Sequence, residues 1–126
     1  MFRFEKLDVW QKAIEFADSV YDASREFPSD ERFGLTSQTR RAAVSISSNI
    51  AEGSGRFSDK DFAHFVEIAY GSLMEVTSQT QVAVNQSFLR PQTRDELYQR
   101  AEELARMLSG LRSSLLQNNS SSGSRP

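Results

Sequence analysis

The sequence predicts an all-α protein: an antiparallel, up-down-up-down four-helix bundle with a disordered C-terminal tail. Three observations predict it. Apolar residues recur at three- and four-residue spacing in four separate stretches, the period of one face of an α-helix. Three short breaks divide those stretches, so consecutive helices turn back on one another. No stretch alternates apolar and polar residues as a half-buried strand would. The 126 residues suit one domain, since two would each lack a sufficient core. The bundle is expected over residues 1–117 and the tail over 118–126.

The first helix opens at Asp8, with Gln11 three residues on at capping-box spacing. Trp10, Ile14, Ala17 and Tyr21 form one apolar line on it, and Val9 and Phe16 a second. It should stop near Glu26, because Phe27 precedes Pro28 and a residue before proline avoids the α region. The second helix is expected from about Thr36 to Glu52, with Leu35, Thr39, Ala42, Ile46 and Ile50 as its stripe. Gly53 and Gly55 can supply a left-handed cap that ends it. Ser58 is the next N-cap, and Asp59 and Asp61 favour the positive end of the helix dipole. The third helix is expected from Asp59 to Phe88. Phe62, Val66, Ala69, Leu73, Val76, Thr80 and Ala83 repeat on it at spacings of four and three, a heptad seam. Arg90-Pro91 breaks it, and Thr93 with Glu96 forms another capping box. The fourth helix carries Leu97, Ala101, Leu104, Leu108, Leu111 and Leu115. After Gln117 the chain is Asn-Asn-Ser-Ser-Ser-Gly-Ser-Arg-Pro, with no apolar residue to bury.

Composition excludes several classes. With 15 Lys+Arg, 17 Asp+Glu and a net charge of −2, the chain does not coat nucleic acid through bulk charge. Zero cysteines exclude a disulfide framework, a thiolate zinc site and a cysteine nucleophile. One histidine excludes a multi-histidine metal site. No apolar run approaches a membrane span of ~18–20 residues, and Met1–Lys6 lacks the long apolar stretch of a secretory signal. A cytoplasmic location and no membrane partner are therefore expected. Charge is not evenly spread: residues 1–31 carry net −4, 32–60 net +3, 61–89 net −3 and 90–126 net +2. Such alternation suits helices or subunits that complement each other.

A helix in a lone bundle needs one buried stripe, and the first and third helices have more. The surplus is read either as a wide core face or as the surface of a homo-oligomer, with Val9, Phe16, Phe65 and Ile68 as its interface. Phe2, Phe4 and Leu7 form an apolar arm that can pack across its own bundle or onto a neighbour.

The candidate chemistry is sparse. Asp61-x-x-His64 resembles half of a carboxylate di-iron site, but there is no second histidine to complete it, and no metal or cofactor is expected. Gly-Ser-Gly-Arg at 53–56 follows no strand and precedes no Lys-Ser/Thr pair, so it reads as a helix end. Ser-His-Asp catalysis has no nucleophile elbow to sit on. Arg40, Arg41, Arg56 and Lys60 form a basic cluster, interrupted only by Glu52 and Asp59. They read either as solvated surface paired with the acidic first helix or as phosphate contacts. Asn49, at the edge of the second helix's stripe, either bonds a neighbouring helix and fixes register or contacts a ligand. Gly71 lies mid-helix, where glycine costs about 1 kcal/mol relative to alanine, which points to two helices in close approach.

The stretch from Gly34 to Arg56, GLTSQTRRAAVSISSNIAEGSGR, is distinctive. With Leu7-x-Val9-Trp10-x-Lys12-Ala13, Phe27-Pro28 and Phe33, and Ile68-Ala69-x-Gly71-Ser72-x-x-Glu75, it resembles the bacterial four-helix-bundle family named for proteins encoded in intervening sequences of 23S rRNA genes. The resemblance runs from about Phe4 to Leu116 and includes Arg40, Arg41, Asn49, Glu52 and Gly53. It implies a bundle that assembles as a homopentameric ring, no enzymatic activity, and a proposed role in nucleic-acid binding. The related accessory proteins of diversity-generating retroelements bind a reverse transcriptase and nucleic acid through a basic pentamer surface; this chain departs from them in its net charge of −2.

Two functions are therefore expected in competition. One is a homo-oligomer that binds RNA or DNA through the basic cluster. The other is a protein-interaction scaffold for a cognate partner protein, with no nucleic-acid role. An enzyme is the third and least supported class.

Overall fold

A computed structural model of the chain describes residues 1–117 in full and the backbone as far as Gly123. The Ser-rich tail expected over 118–126 lies outside the fully described residues. Four helices make up the fold: α1 Asp8–Ser24, α2 Leu35–Ser54, α3 Asp59–Asn85 and α4 Pro91–Gly123, with short 3₁₀ turns at Arg3–Lys6 and Ser29–Glu31. Each helix packs on the next and α4 closes on α1, which makes a four-helix bundle with a single core. Among the described residues no helix is long and apolar enough to cross a membrane.

The α3 seam is buried at every expected position, from Phe62 to Ala83. On α4, Leu97, Ala101, Leu104, Leu108 and Leu115 are buried and Leu111 is half-buried. On α1 the seam runs through the second expected line, Val9 and Phe16, while of the first line Ala17 is buried and Trp10 packs against the core, which gives this helix a wide core face. Val9, Ala13, Phe16, Val20 and Ala23 face the core, and Phe27 continues the line past the helix end. Trp10 and Ile14 are half-buried and Tyr21 is exposed. The buried positions follow 4-3-4-3-4 spacing, a seam whose small members let α1 approach its neighbours closely.

The ends differ from expectation in ways that local chemistry explains. Leu7, not Asp8, is the N-cap of α1 and makes no side-chain cap; Gln11 instead donates to the Glu5 carbonyl at 3.1 Å. The start of α2 is held by Glu31, whose carboxylate accepts from the Leu35 amide at 3.1 Å. Ser58 caps α3 by accepting from the Asp61 amide at 3.1 Å. α4 starts at Pro91, where the missing amide hydrogen costs no helical bond.

The left-handed cap expected at Gly53 or Gly55 is not formed, since neither glycine has a positive φ. The left-handed residue is Ser87, at φ 65°, just past α3. Phe88 donates to the Ala83 carbonyl at 2.8 Å and Ser87 to the Val84 carbonyl at 3.0 Å, the bond pair of a Schellman motif. The N-terminal arm folds back on its own bundle. Phe4 meets Trp10 edge-on at 5.0 Å, and the Arg3 guanidinium lies 5.1 Å from the Phe62 ring centroid.

Candidate functional site

α1 and α2 are joined by a ten-residue connection, and beside it their exposed faces enclose an open groove of about 590 Å³. Tyr21 of α1, Arg32 and Phe33 of the connection, and Arg40, Arg41, Val44, Ser45 and Ser48 of α2 line it. The lining holds three arginines and no carboxylate. Glu31, next in sequence, is not among the lining residues and accepts from the Leu35 amide at the α2 N-terminus.

The three arginines are held differently. Arg40 is anchored: its Nε donates to the Ser24 hydroxyl at 2.8 Å, and its guanidinium lies 4.6 Å from the Tyr21 ring centroid. Arg32 lies 5.5 Å from the Phe33 ring centroid, and that ring is 90% exposed. Arg41 is exposed and forms no ion pair among the described residues. One anchored cation, one cation on an aromatic ring and one free cation can together hold an anion and stack a planar group.

The structure does not gather the expected basic cluster into one patch. Arg40 and Arg41 lie in the groove, but Arg56 lies two residues past the end of α2 at Ser54, which is itself thirteen helical residues, about 20 Å along the axis, beyond Arg41. At that far end Arg56 pairs with Glu52 at 3.3 Å and covers the Phe65 ring at 4.5 Å. Lys60 is exposed there, in the first turn of α3. Arg32 was not expected in the site; its signal in the sequence is the adjacent Arg-Phe pair in a loop.

The remaining motif residues have local roles. Asn49 bonds its own helix, donating to the Ser45 carbonyl at 2.8 Å, and so does not reach a neighbour as expected. The polar contact between α2 and α3 is instead Ser45 with Ser72, whose hydroxyls are 2.6 Å apart. Gly53 is buried where a Cβ would lie 2.6 Å from the Phe65 Cβ, so glycine is what lets α2 meet α3. Gly71 is not at such an approach: it is exposed, and a Cβ there would meet nothing within 4 Å.

Of the expected interface residues, Val9 and Phe16 are buried in the protomer's own core at 6% and 2% exposure and are unavailable to a partner. Phe65 is half-buried under Arg56. Ile68 alone of the four is exposed, and Met74 and Val82 are exposed on the same helix. His64 is exposed, Glu67 is taken by Arg112 at 2.6 Å, and no cluster of three His, Asp or Glu suited to a metal occurs among the described residues.

The model of the family described as "23S rRNA-intervening sequence protein" matches residues 5–110. No curated protein matches the chain.

Proposed function

The chain belongs to the 23S rRNA-intervening sequence protein family, and from that premise we propose that it is a non-enzymatic, cytoplasmic homo-oligomer, a pentamer, that binds RNA or another nucleic acid through the α1–α2 groove. The observation that carries this reading is the groove's charge. Arg32, Arg40 and Arg41 converge on one cavity that no carboxylate lines, in a chain whose net charge is negative. A local basic groove on an acidic protein favours a docked phosphate over indiscriminate coating. Most of the groove comes from the motif that distinguishes the family, between Gly34 and Arg56.

Self-association would repeat the groove around a ring. Several weak phosphate contacts on one strand then add through effective concentration, with no new contact required. The apolar side chains that α3 leaves exposed, Ile68, Met74 and Val82, support such an assembly, since a copy could bury them.

The test is filter binding to structured RNA over a salt series. Log affinity should fall linearly with log salt, by about 0.7–0.9 per phosphate contacted. Charge reversal by Arg32→Glu with Arg41→Glu should abolish binding and leave helicity unchanged, because both side chains are exposed. Binding that is absent at low salt, or untouched by the double reversal, would sink the nucleic-acid reading and leave the scaffold for a partner protein, which a pull-down would then identify.

A further inference from the structure

Phe33 is the most unusual feature of the groove. It is 90% exposed, whereas Phe16, Phe27 and Phe62 are buried in the core of the same bundle, and it lines the groove with Arg32 beside it. A phosphate needs no aromatic partner. A double helix keeps its base faces stacked inside and offers only phosphates and groove edges to such a surface, so it would leave this ring unused. An unpaired base has two free faces, and stacking one on a phenyl ring removes apolar surface of both from water.

We infer that the groove takes single-stranded nucleic acid, with one unpaired base stacked on Phe33 and the adjoining phosphate held by Arg41. The inference deepens the proposed function and rests on it. The parts of the groove divide accordingly. Arg41 is free and can meet a phosphate oxygen. Arg40 is fixed by Ser24 and Tyr21, so it holds a permanent positive charge at the floor without moving. Arg32 already lies over Phe33 and can extend the stack with its guanidinium plane. Ser48 and Ser37 line the same cavity and present hydroxyls, which donate or accept and therefore suit any base edge. The site built this way is selective for unpaired strands and tolerant of sequence.

Fluorescence anisotropy with a labelled, unstructured RNA of about 12 nucleotides, free and annealed to its complement, tests the inference on the full chain. The free strand should bind at least about tenfold more tightly than the duplex, and Phe33→Ala should weaken it by about tenfold, with Phe33→Trp restoring it. Phe33 is exposed, so circular dichroism should be unchanged. Duplex bound as well as single strand, or a Phe33→Ala protein with wild-type affinity while Arg41→Ala is weakened, would overturn the stacking inference and leave nucleic-acid binding standing. A Phe33→Ala protein that loses subunits instead of RNA affinity would also overturn it, assigning the ring to a contact between copies. No binding of either probe at low salt would remove the proposed function itself.

Discussion

The Cα of Gly53 sits so close to Phe65 that a Cβ added to it would lie 2.6 Å from the Phe65 Cβ and 2.9 Å from the Phe62 ring. The Phe65 Cβ is fixed to the α3 backbone, and the Phe62 ring is buried at 1% exposure, so neither can readily swing aside. Glycine is thus a packing requirement at this crossing, although it weakens the last turn of α2 as a helix.

Gly53→Ala should therefore destabilise the protein. Alanine returns about 1 kcal/mol of helix propensity, but overpacking a tight contact costs about 1–3 kcal/mol. A net loss near 1 kcal/mol is expected, read as a lower denaturation midpoint with an unchanged slope. Gly71→Ala is the control, because its Cβ meets nothing within 4 Å in the protomer and only the propensity gain remains.

Ser87 carries the opposite kind of strain. Its φ of 65° is the left-handed conformation that suits glycine best, yet the Schellman bonds of Phe88 and Ser87 require it. Ser87→Gly should stabilise the protein by about 0.5–1 kcal/mol, the relief of the Cβ penalty less the added freedom of the unfolded chain. A guanidinium titration should show a higher midpoint; a lower one would mean that the serine side chain supports the turn.

The two adjacent arginines of α2 should separate cleanly. Arg40 bonds Ser24, which is 3% exposed, and stacks on Tyr21. Removing it strips a charged partner from a buried hydroxyl, so Arg40→Ala should cost about 1–2 kcal/mol of stability. Arg41→Ala should change stability by less than about 0.5 kcal/mol and weaken RNA binding instead. Thermal melts beside the binding assay distinguish the two effects. Equal stability losses would mean that Arg41 has a structural partner too.

How much of this was legible in the sequence depends on side-chain size. The α3 seam could be read in full because large residues mark it: Phe62, Val66, Leu73 and Val76 stand out at heptad spacing and all are buried. α1 is harder to read, because Trp10, Ile14 and Tyr21 outweigh Ala13 and Val20, although those two smaller residues complete the seam with Val9 and Phe16. Gly53 is ambiguous in the sequence because a glycine near a helix end has two uses, left-handed backbone or close approach, and only the neighbouring helix decides between them. The groove was half legible. Arg40 and Arg41 were found, but Arg32 joins them only through the return of the chain between α1 and α2. Arg56 lies just past the far end of α2 and Lys60 in the first turn of α3, a distance that sequence proximity conceals.

The self-association proposed above makes the last prediction. Ile68, Gly71, Glu75, Ser78 and Val82 follow one another at 3-4-3-4 spacing along the outside of α3, with Met74 beside them. Ile68, Met74 and Val82 are 41–45% exposed. This is a second, outward line with the same period as the buried seam. Charges there should disfavour burial against a copy and leave the protomer's own core untouched. Ile68→Glu with Met74→Glu should therefore lower the sedimenting mass at micromolar concentration while circular dichroism stays unchanged. Phe16→Ala is the contrast: its ring is 2% exposed inside the protomer, so its loss should cost about 3–5 kcal/mol of folding stability. A wild-type protein that sediments as a monomer, or a double variant with unchanged mass, would remove α3 as the assembly face.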